Sequence, residues 1–204
     1  MSTRLPLAVL TFLLLALPAC KTAAGATPDE KRQNIVQLRD DTLTDLYAKE
    51  PDAREKIAKA AGYAVFSNVN ITFFFVTGGG GYGVVTDNAT GERTYMRMGL
   101  GGPALGIGGR NFRLVLVFPT QEALKRFTES GWEFGGQADA TVKGGGDEGG
   151  SVGGRTSANS LEVYQLTDSG VLAAVALTGT RYWRDEELSP SPAKEASATQ
   201  PAAK

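Results

Sequence analysis

Gly78, Gly80 and Gly83, within Thr77–Thr86 (TGGGGYGVVT), satisfy the spacing G-x-G-x-x-G. At a strand-to-helix junction that spacing cradles phosphate, because free backbone N–H groups and the helix dipole face the anion. Here Val84 and Val85 follow, then a turn at Asp87–Gly91 and another strand-like run. No helix opens after the glycines, and no Gly-Lys-Ser/Thr ending is present. Gly99, Gly101 and Ala104 match the looser form with the same lack of context. The glycines therefore read as relief of crowding at a bulge or sharp bend. Proton-transfer chemistry is poorly supplied: the 204 residues contain no histidine, and the one cysteine excludes an intrachain disulfide and a thiolate cluster. Asp139, Asp147 and Glu148 are the suggestive acids, the last two in a glycine-rich loop where they serve solubility. The expectation is a non-enzymatic protein without cofactor or metal. With 21 basic and 22 acidic residues and a net charge of -1, nucleic acid is not an expected partner.

The lone thiol, Cys20, closes an apolar run from Leu5 to Ala19 that follows Arg4. At about 15 residues the run is short for a membrane span and suits a signal-peptide core. Leu17-Pro18-Ala19-Cys20 resembles a bacterial lipobox, although proline at the middle position is less usual. The resemblance implies a cleaved leader at 1–19 and a diacylglycerol thioether on Cys20. The other reading is an ordinary secretory signal with a chance cysteine. Lys21, rather than aspartate, next to the cysteine favours the outer membrane, facing the periplasm, by resemblance to Gram-negative sorting rules.

Residues 20–28 read as a tether, and 29–48 as an amphipathic helix with both charge signs on its polar face. That face mixture favours packing on the domain over lying in a bilayer. A second helix follows from Asp52, with Asp52 and Glu55 as a capping box and Gly62 as stop. The apolar period then becomes two. Strands are expected at 63–66, 71–77, 81–86, 92–98 and 112–118, and again at 136–142, 161–167 and 171–179. One helix, capped by Thr120 and stopped by Gly131, interrupts them. Phe73, Phe74 and Phe75 put a ring on each face of a strand, for which burial on both faces is the expectation and an apolar surface the alternative. From Asp185 to Lys204 apolar content falls away, as in a disordered tail. Of the 26 glycines, 22 lie between Gly78 and Gly154, which points to turns and sheet. The fold class expected is α+β: a curved antiparallel sheet or partial β-barrel with N-terminal helices and one inserted helix.

From about Lys56 to Arg184 the order of segments resembles the SYLF domain family. The carrying stretches are KIAKAAGYAVFSNV, TGGGGYGVV, GLGGPALGIGGRNFRLVLVFPTQEALKRF, GWEFGGQADATV and LEVYQLTDSGVLAAVALTGT. The resemblance, carried over the domain at 29–184, implies binding to membrane phospholipid without catalysis. Phosphoinositides in eukaryotic members and actin in some belong to the family's other settings. An anionic bacterial phospholipid is the natural counterpart in a cell envelope. The loop at 142–155 is longer and more acidic, and residues 71–81 more aromatic, than the family pattern.

Arginine forks suit phosphate. Arg93, Tyr95 and Arg97 share one strand face by period two, and Arg110 and Arg113 flank the start of a later strand. If gathered, the five form a small basic headgroup surface; otherwise they are a solvated sheet face. Arg181, Tyr182, Trp183 and Arg184 suit either a membrane interface or packing of a last strand on the core. The functional expectation is an envelope lipoprotein that binds anionic phospholipid, with a structural lipoprotein binding a periplasmic protein as the alternative.

Overall fold

Two strands of 26 residues each, β1 (Gly62–Asp87) and β2 (Arg93–Phe118), pair antiparallel over their length. The computed structural model describes residues 23–134, 140–141, 161–167, 170–172 and 180–190. The hairpin turn is closed by Asp87, whose Oδ1 accepts the N–H groups of Ala89 (2.7 Å) and Thr90 (3.1 Å), and by Gly91 at φ 73°. The five separate strands expected between 63 and 118 are thus two continuous ones. The glycine runs that read as breaks stay extended inside them.

The long hairpin then folds over on itself. Phe74 (φ 55°) and Gly106 (φ 135°) stand opposite each other in the β1–β2 ladder, and both strands bend there. A Cβ on Gly79, Gly81 or Gly83 would run into the carbonyl oxygen of Val69, Ser67 or Val65, respectively. Each pair is placed symmetrically about Phe74. Alternate glycines therefore strip one face of β1 so that its two halves touch backbone to backbone. Of the G-x-G-x-x-G glycines only Gly83 belongs to this set, since Gly78 and Gly80 have no tight neighbour; the close approach is of the kind only glycine permits.

The two halves of the folded hairpin enclose the main core. Ala64, Phe66, Leu114 and Leu116 from one half meet Val85, Met96 and Met98 from the other. Phe66 packs edge-on against Tyr182 with ring centroids 4.9 Å apart, and Phe118 lies 5.0 Å from Phe127. Each half is extended by further strands. β7 (Thr180–Arg184) pairs β2 at Met96–Leu100, and β3 (Trp132–Phe134) lies outside it. β5 (Leu161–Thr167) pairs β2 at Arg113–Val117, flanked by β6 (Gly170–Leu172) and β4 (Ala140–Thr141). The result is an α+β fold with a curved, open seven-stranded sheet. β4 departs from the antiparallel expectation by pairing parallel to β5. The expected strands at 136–142 and 171–179 fall largely outside the described residues.

Three helices among the described residues cover the sheet. α1 (Pro28–Lys49) starts at Thr27, whose Oγ1 accepts Glu30 N–H (3.2 Å) while Glu30 Oε2 accepts Thr27 N–H (3.3 Å). This capping box went unread because Pro28 interrupts the polar run. The expected tether at 20–28 is held from Ala23, which is buried, and Ala24 O accepts Asn34 Nδ2 at 2.7 Å. α2 (Asp52–Lys59) begins after Pro51, which occupies the cap position without a side-chain bond. Asp52 is a helical residue and not the expected cap, since proline at φ -57° already presets the first turn. Ile35 of α1 packs on Val84 and Tyr95, while Leu46, Ala53 and Ile57 pack on Val65, Val115 and Val117. α1 thus packs on the domain, as its mixed polar face implied. α3 (Gln121–Ser130) follows its expected signals: Thr120 Oγ1 accepts Ala123 N–H at 3.3 Å, and Gly131 stops it at φ 66°. Among the described residues, the three apolar clusters run from Ala23 to Leu188.

The tail expected from Asp185 begins later. Asp185 and Leu188 are buried, and Asp185 N–H donates to Tyr95 O at 3.0 Å. The fixing group is a buried carboxylate, which low apolar content does not reveal.

Candidate functional site

β7 has a core side and an outward side. Thr180 and Tyr182 are buried, whereas Arg181 and Trp183 are exposed. The packing reading of residues 181–184 therefore holds for Tyr182, whose ring meets Phe66 and whose hydroxyl burial pushes well above the ordinary tyrosine range. The interface reading remains available to Arg181 and Trp183. Across the ladder Arg97 is the register partner of Trp183, and Gly99 that of Arg181. Register partners in an antiparallel pair share a face. So Arg97, Gly99, Arg181 and Trp183 sit together on the outward side of β2 and β7, and Glu133 of β3, the register partner of Arg181, is placed on the same side.

Gly99 shapes this face. A Cβ there would lie 3.2 Å from the Trp183 ring, so the indole rests over bare backbone. Trp183 keeps 42% of its surface exposed. Arg97 Nε donates to Asp185 Oδ2 at 2.8 Å, and the same carboxylate accepts Glu187 and Leu188 N–H on its other oxygen. The ion pair orients the guanidinium along the sheet and neutralises part of its charge.

The five arginine and tyrosine positions expected to make a headgroup surface do not come together. Tyr95 is buried under α1 with Ile35 and Val84, and its N–H donates to Ser189 Oγ at 2.8 Å. Arg113 reaches back to α1, with Nη2 on Asp45 Oδ2 at 2.7 Å and Nη1 on Thr42 Oγ1 at 3.5 Å. Arg93 is exposed at the hairpin-turn end of β2. Arg110 is placed opposite Asn70 in the ladder. Of the four whose side chains are described, Arg97 alone joins the outward face. Period two predicted a shared side but not that α1 lies across part of it.

Arg184 points elsewhere. Its Nη2 donates to Thr128 O at 3.3 Å, and it lines a hollow of about 370 Å³ with Asp87, Glu92, Lys125 and Glu129. Two cations and three carboxylates there leave one net negative charge, which does not attract an anionic headgroup. Asp139, Asp147, Glu148 and Cys20 lie outside the described residues. Among the described residues no cluster of three His, Cys, Asp or Glu is placed to hold a metal, and no helix is long and apolar enough to cross a membrane.

The second feature is the corner where the hairpin folds over. Ile71, Phe73, Phe74, Phe75 and Val76 are 65%, 63%, 52%, 70% and 63% exposed, and Leu105 and Ile107 reach 83% and 72%. Burial of Phe73–Phe75, the sequence expectation, is therefore wrong. Each strand bends at the triplet, and nothing described packs outside the bend. The missed signal was charge: β1 carries no Asp, Glu, Lys or Arg between Lys59 and Asp87, nor β2 between Arg97 and Arg110.

Fold and surface together define an α+β protein with an open curved sheet, an outward face carrying arginine and tryptophan, and an apolar corner. No family model matches the sequence. The chain is 32% identical to Beta cell expansion factor A of Aeromonas veronii over 169 residues. The match covers 79% of this chain but only 60% of that protein, so the chain spans less than two thirds of its relative.

Proposed function

We propose that this chain is an envelope lipoprotein, anchored through Cys20, that binds anionic phospholipid without catalysing a reaction. The SYLF-like order of segments and the lipobox-like leader support the reading. The observation that carries it is the juxtaposition of Arg97, Trp183 and Arg181 on one open face. Guanidinium groups pair with phosphate, and an exposed indole suits the boundary between headgroup and hydrocarbon. The name Beta cell expansion factor A describes an effect of that protein and no ligand, so the chemistry rests on the face itself. The ligand proposed is an anionic bacterial phospholipid such as phosphatidylglycerol.

Residues 21–204 contain the apolar clusters of the described residues and suit a test free of the acyl anchor. That chain is mixed with phosphatidylglycerol or phosphatidylcholine vesicles at low salt and sedimented. Retention by the anionic vesicles, weakened by Arg181→Glu and by salt, is expected. Equal, negligible retention on both would reject the reading. A periplasmic protein partner is the second reading, favoured by the Arg97–Asp185 pair, which gives the face the mixed charge of a protein interface. It predicts cross-linking of Trp183 to a protein in intact cells and indifference to lipid charge.

A further inference from the structure

We propose that the fold-over corner of the β1–β2 hairpin dips into the hydrocarbon of one leaflet while the Arg97–Trp183–Arg181 face stays at headgroup height. The inference rests on the phospholipid reading and names the part of the lipid that the corner takes.

Seven large apolar side chains stand more than half exposed around one bend. Isolated exposed apolar residues need no explanation, but a contiguous group marks a binding surface. The chemistry of the partner follows from what the corner lacks. No charge lies within the bend on either strand, so nothing there would select a charged protein surface. The hydroxyls bond within the chain: Thr72 Oγ1 donates to Thr77 Oγ1 at 3.1 Å, and Thr77 Oγ1 donates to Ile71 O at 3.4 Å. The backbone of each arm is paired with the other arm through the bend, apart from one register shift between Phe74 and Val76. Phe74 holds a left-handed φ of 55°, where glycine would be free of strain, yet its ring stays half exposed and stacks edge-on with Phe73 at 4.5 Å. A strained aromatic that the chain leaves half exposed is compensated by an apolar medium outside it.

Dimensions agree. Ile71 to Phe74 spans about 10 Å of strand, close to the ~5–10 Å depth reached by interfacial elements. Gly99, under Trp183, lies seven residues from Gly106, or about 23 Å along β2. With the tip about 5–10 Å below the headgroup boundary and the phosphates about 5 Å above it, the indole and both guanidiniums reach the phosphates when β2 is inclined roughly 25–40° to the membrane plane. The outer edges of β1 and β2 at the bend have no strand partner among the described residues. Unpaired backbone is costly deep in hydrocarbon, so the corner dips and does not span.

The test places the photoreactive benzoylphenylalanine at Phe75, or at Thr90 in the distant hairpin turn, in residues 21–204. Each protein is irradiated on phosphatidylglycerol–phosphatidylethanolamine vesicles and its adducts are identified by mass. Adducts on acyl carbons from position 75 and none from position 90 are expected. Phe75→Asp with Ile107→Asp should leave anionic binding at low salt and make it fully reversible at high salt. Vesicle-bound protein without acyl adducts at 75 would overturn the insertion and leave the headgroup reading standing. Protein–protein adducts at 75 would assign the corner to a second copy and overturn it too. Absence of any vesicle binding would remove both.

Discussion

Gly81 and Ser67 meet backbone to backbone, with no room for a Cβ between them. They belong to one strand, and they touch because β1 turns over at Phe74. Gly78, on the same strand, has nothing within 4 Å of where its Cβ would stand. Gly81→Ala is therefore expected to cost about 1–3 kcal/mol, as overpacking does. Gly78→Ala should stay within about 0.5 kcal/mol of the parent. Urea titration followed by circular dichroism separates them. Equal midpoints would mean that β1 is not folded back as described.

Arg97 is held by Asp185, so the open face carries less positive charge than its residues could supply. Asp185→Asn keeps an oxygen for the N–H groups of Glu187 and Leu188 but releases the guanidinium. One further cation near an anionic surface contributes about 1 kcal/mol, or roughly fivefold in affinity. Tighter retention on phosphatidylglycerol vesicles at low salt is the expected outcome, with that gain lost in high salt. Unchanged or weaker binding would separate Arg97 from the lipid contact.

Asn68 is buried, 1% exposed, and neither its Nδ2 nor its Oδ1 finds a partner among the described residues. An unmade hydrogen bond at such a site costs about 1–3 kcal/mol. Replacing the amide by an apolar group of similar size should recover part of this. Asn68→Leu is expected to raise the melting temperature by about 2–4 °C, at roughly 1 kcal/mol gained. A fall of several degrees in calorimetry would show that the amide is bonded in solution.

How much of this was legible from sequence depends on range. Thr120 and Gly131 delimit α3 because capping is local, and Leu161–Thr167 reads as a strand because alternation is local. The fold-over is not local. Gly79, Gly81 and Gly83 look like a phosphate loop or a break until their partners at Val65–Val69 are known. The same holds for the site. Arg97 and Trp183 each stood out by type, but their pairing needs the β2–β7 register. Tyr95 and Arg113 misled because alternation assigns a side of the strand and says nothing about the helix that covers it.

Tyr164 and Lys56 give the chain an alkaline limit. Tyr164 OH donates to Glu162 Oε1 at 2.8 Å, and Lys56 Nζ reaches the same oxygen at 2.8 Å and the tyrosine oxygen at 3.2 Å. Burial, and then the bond to Glu162, push the Tyr164 hydroxyl up to about 12. The bond to Glu162 raises Lys56 above the usual lysine range. Both folded values lie above their unfolded counterparts near pH 10. Their contribution to stability is thus fully present below about pH 10 and is lost as pH rises through the folded values. Tyr164→Phe should cost about 1 kcal/mol at pH 7 through the missing hydrogen bond. It should also flatten the decline in stability between about pH 10 and 12 relative to the parent. Urea midpoints at pH 7, 9, 10.5 and 11.5 measure both effects. A variant whose stability falls parallel to the parent over the alkaline range would show that Tyr164 ionises no later in the folded chain than in the unfolded one.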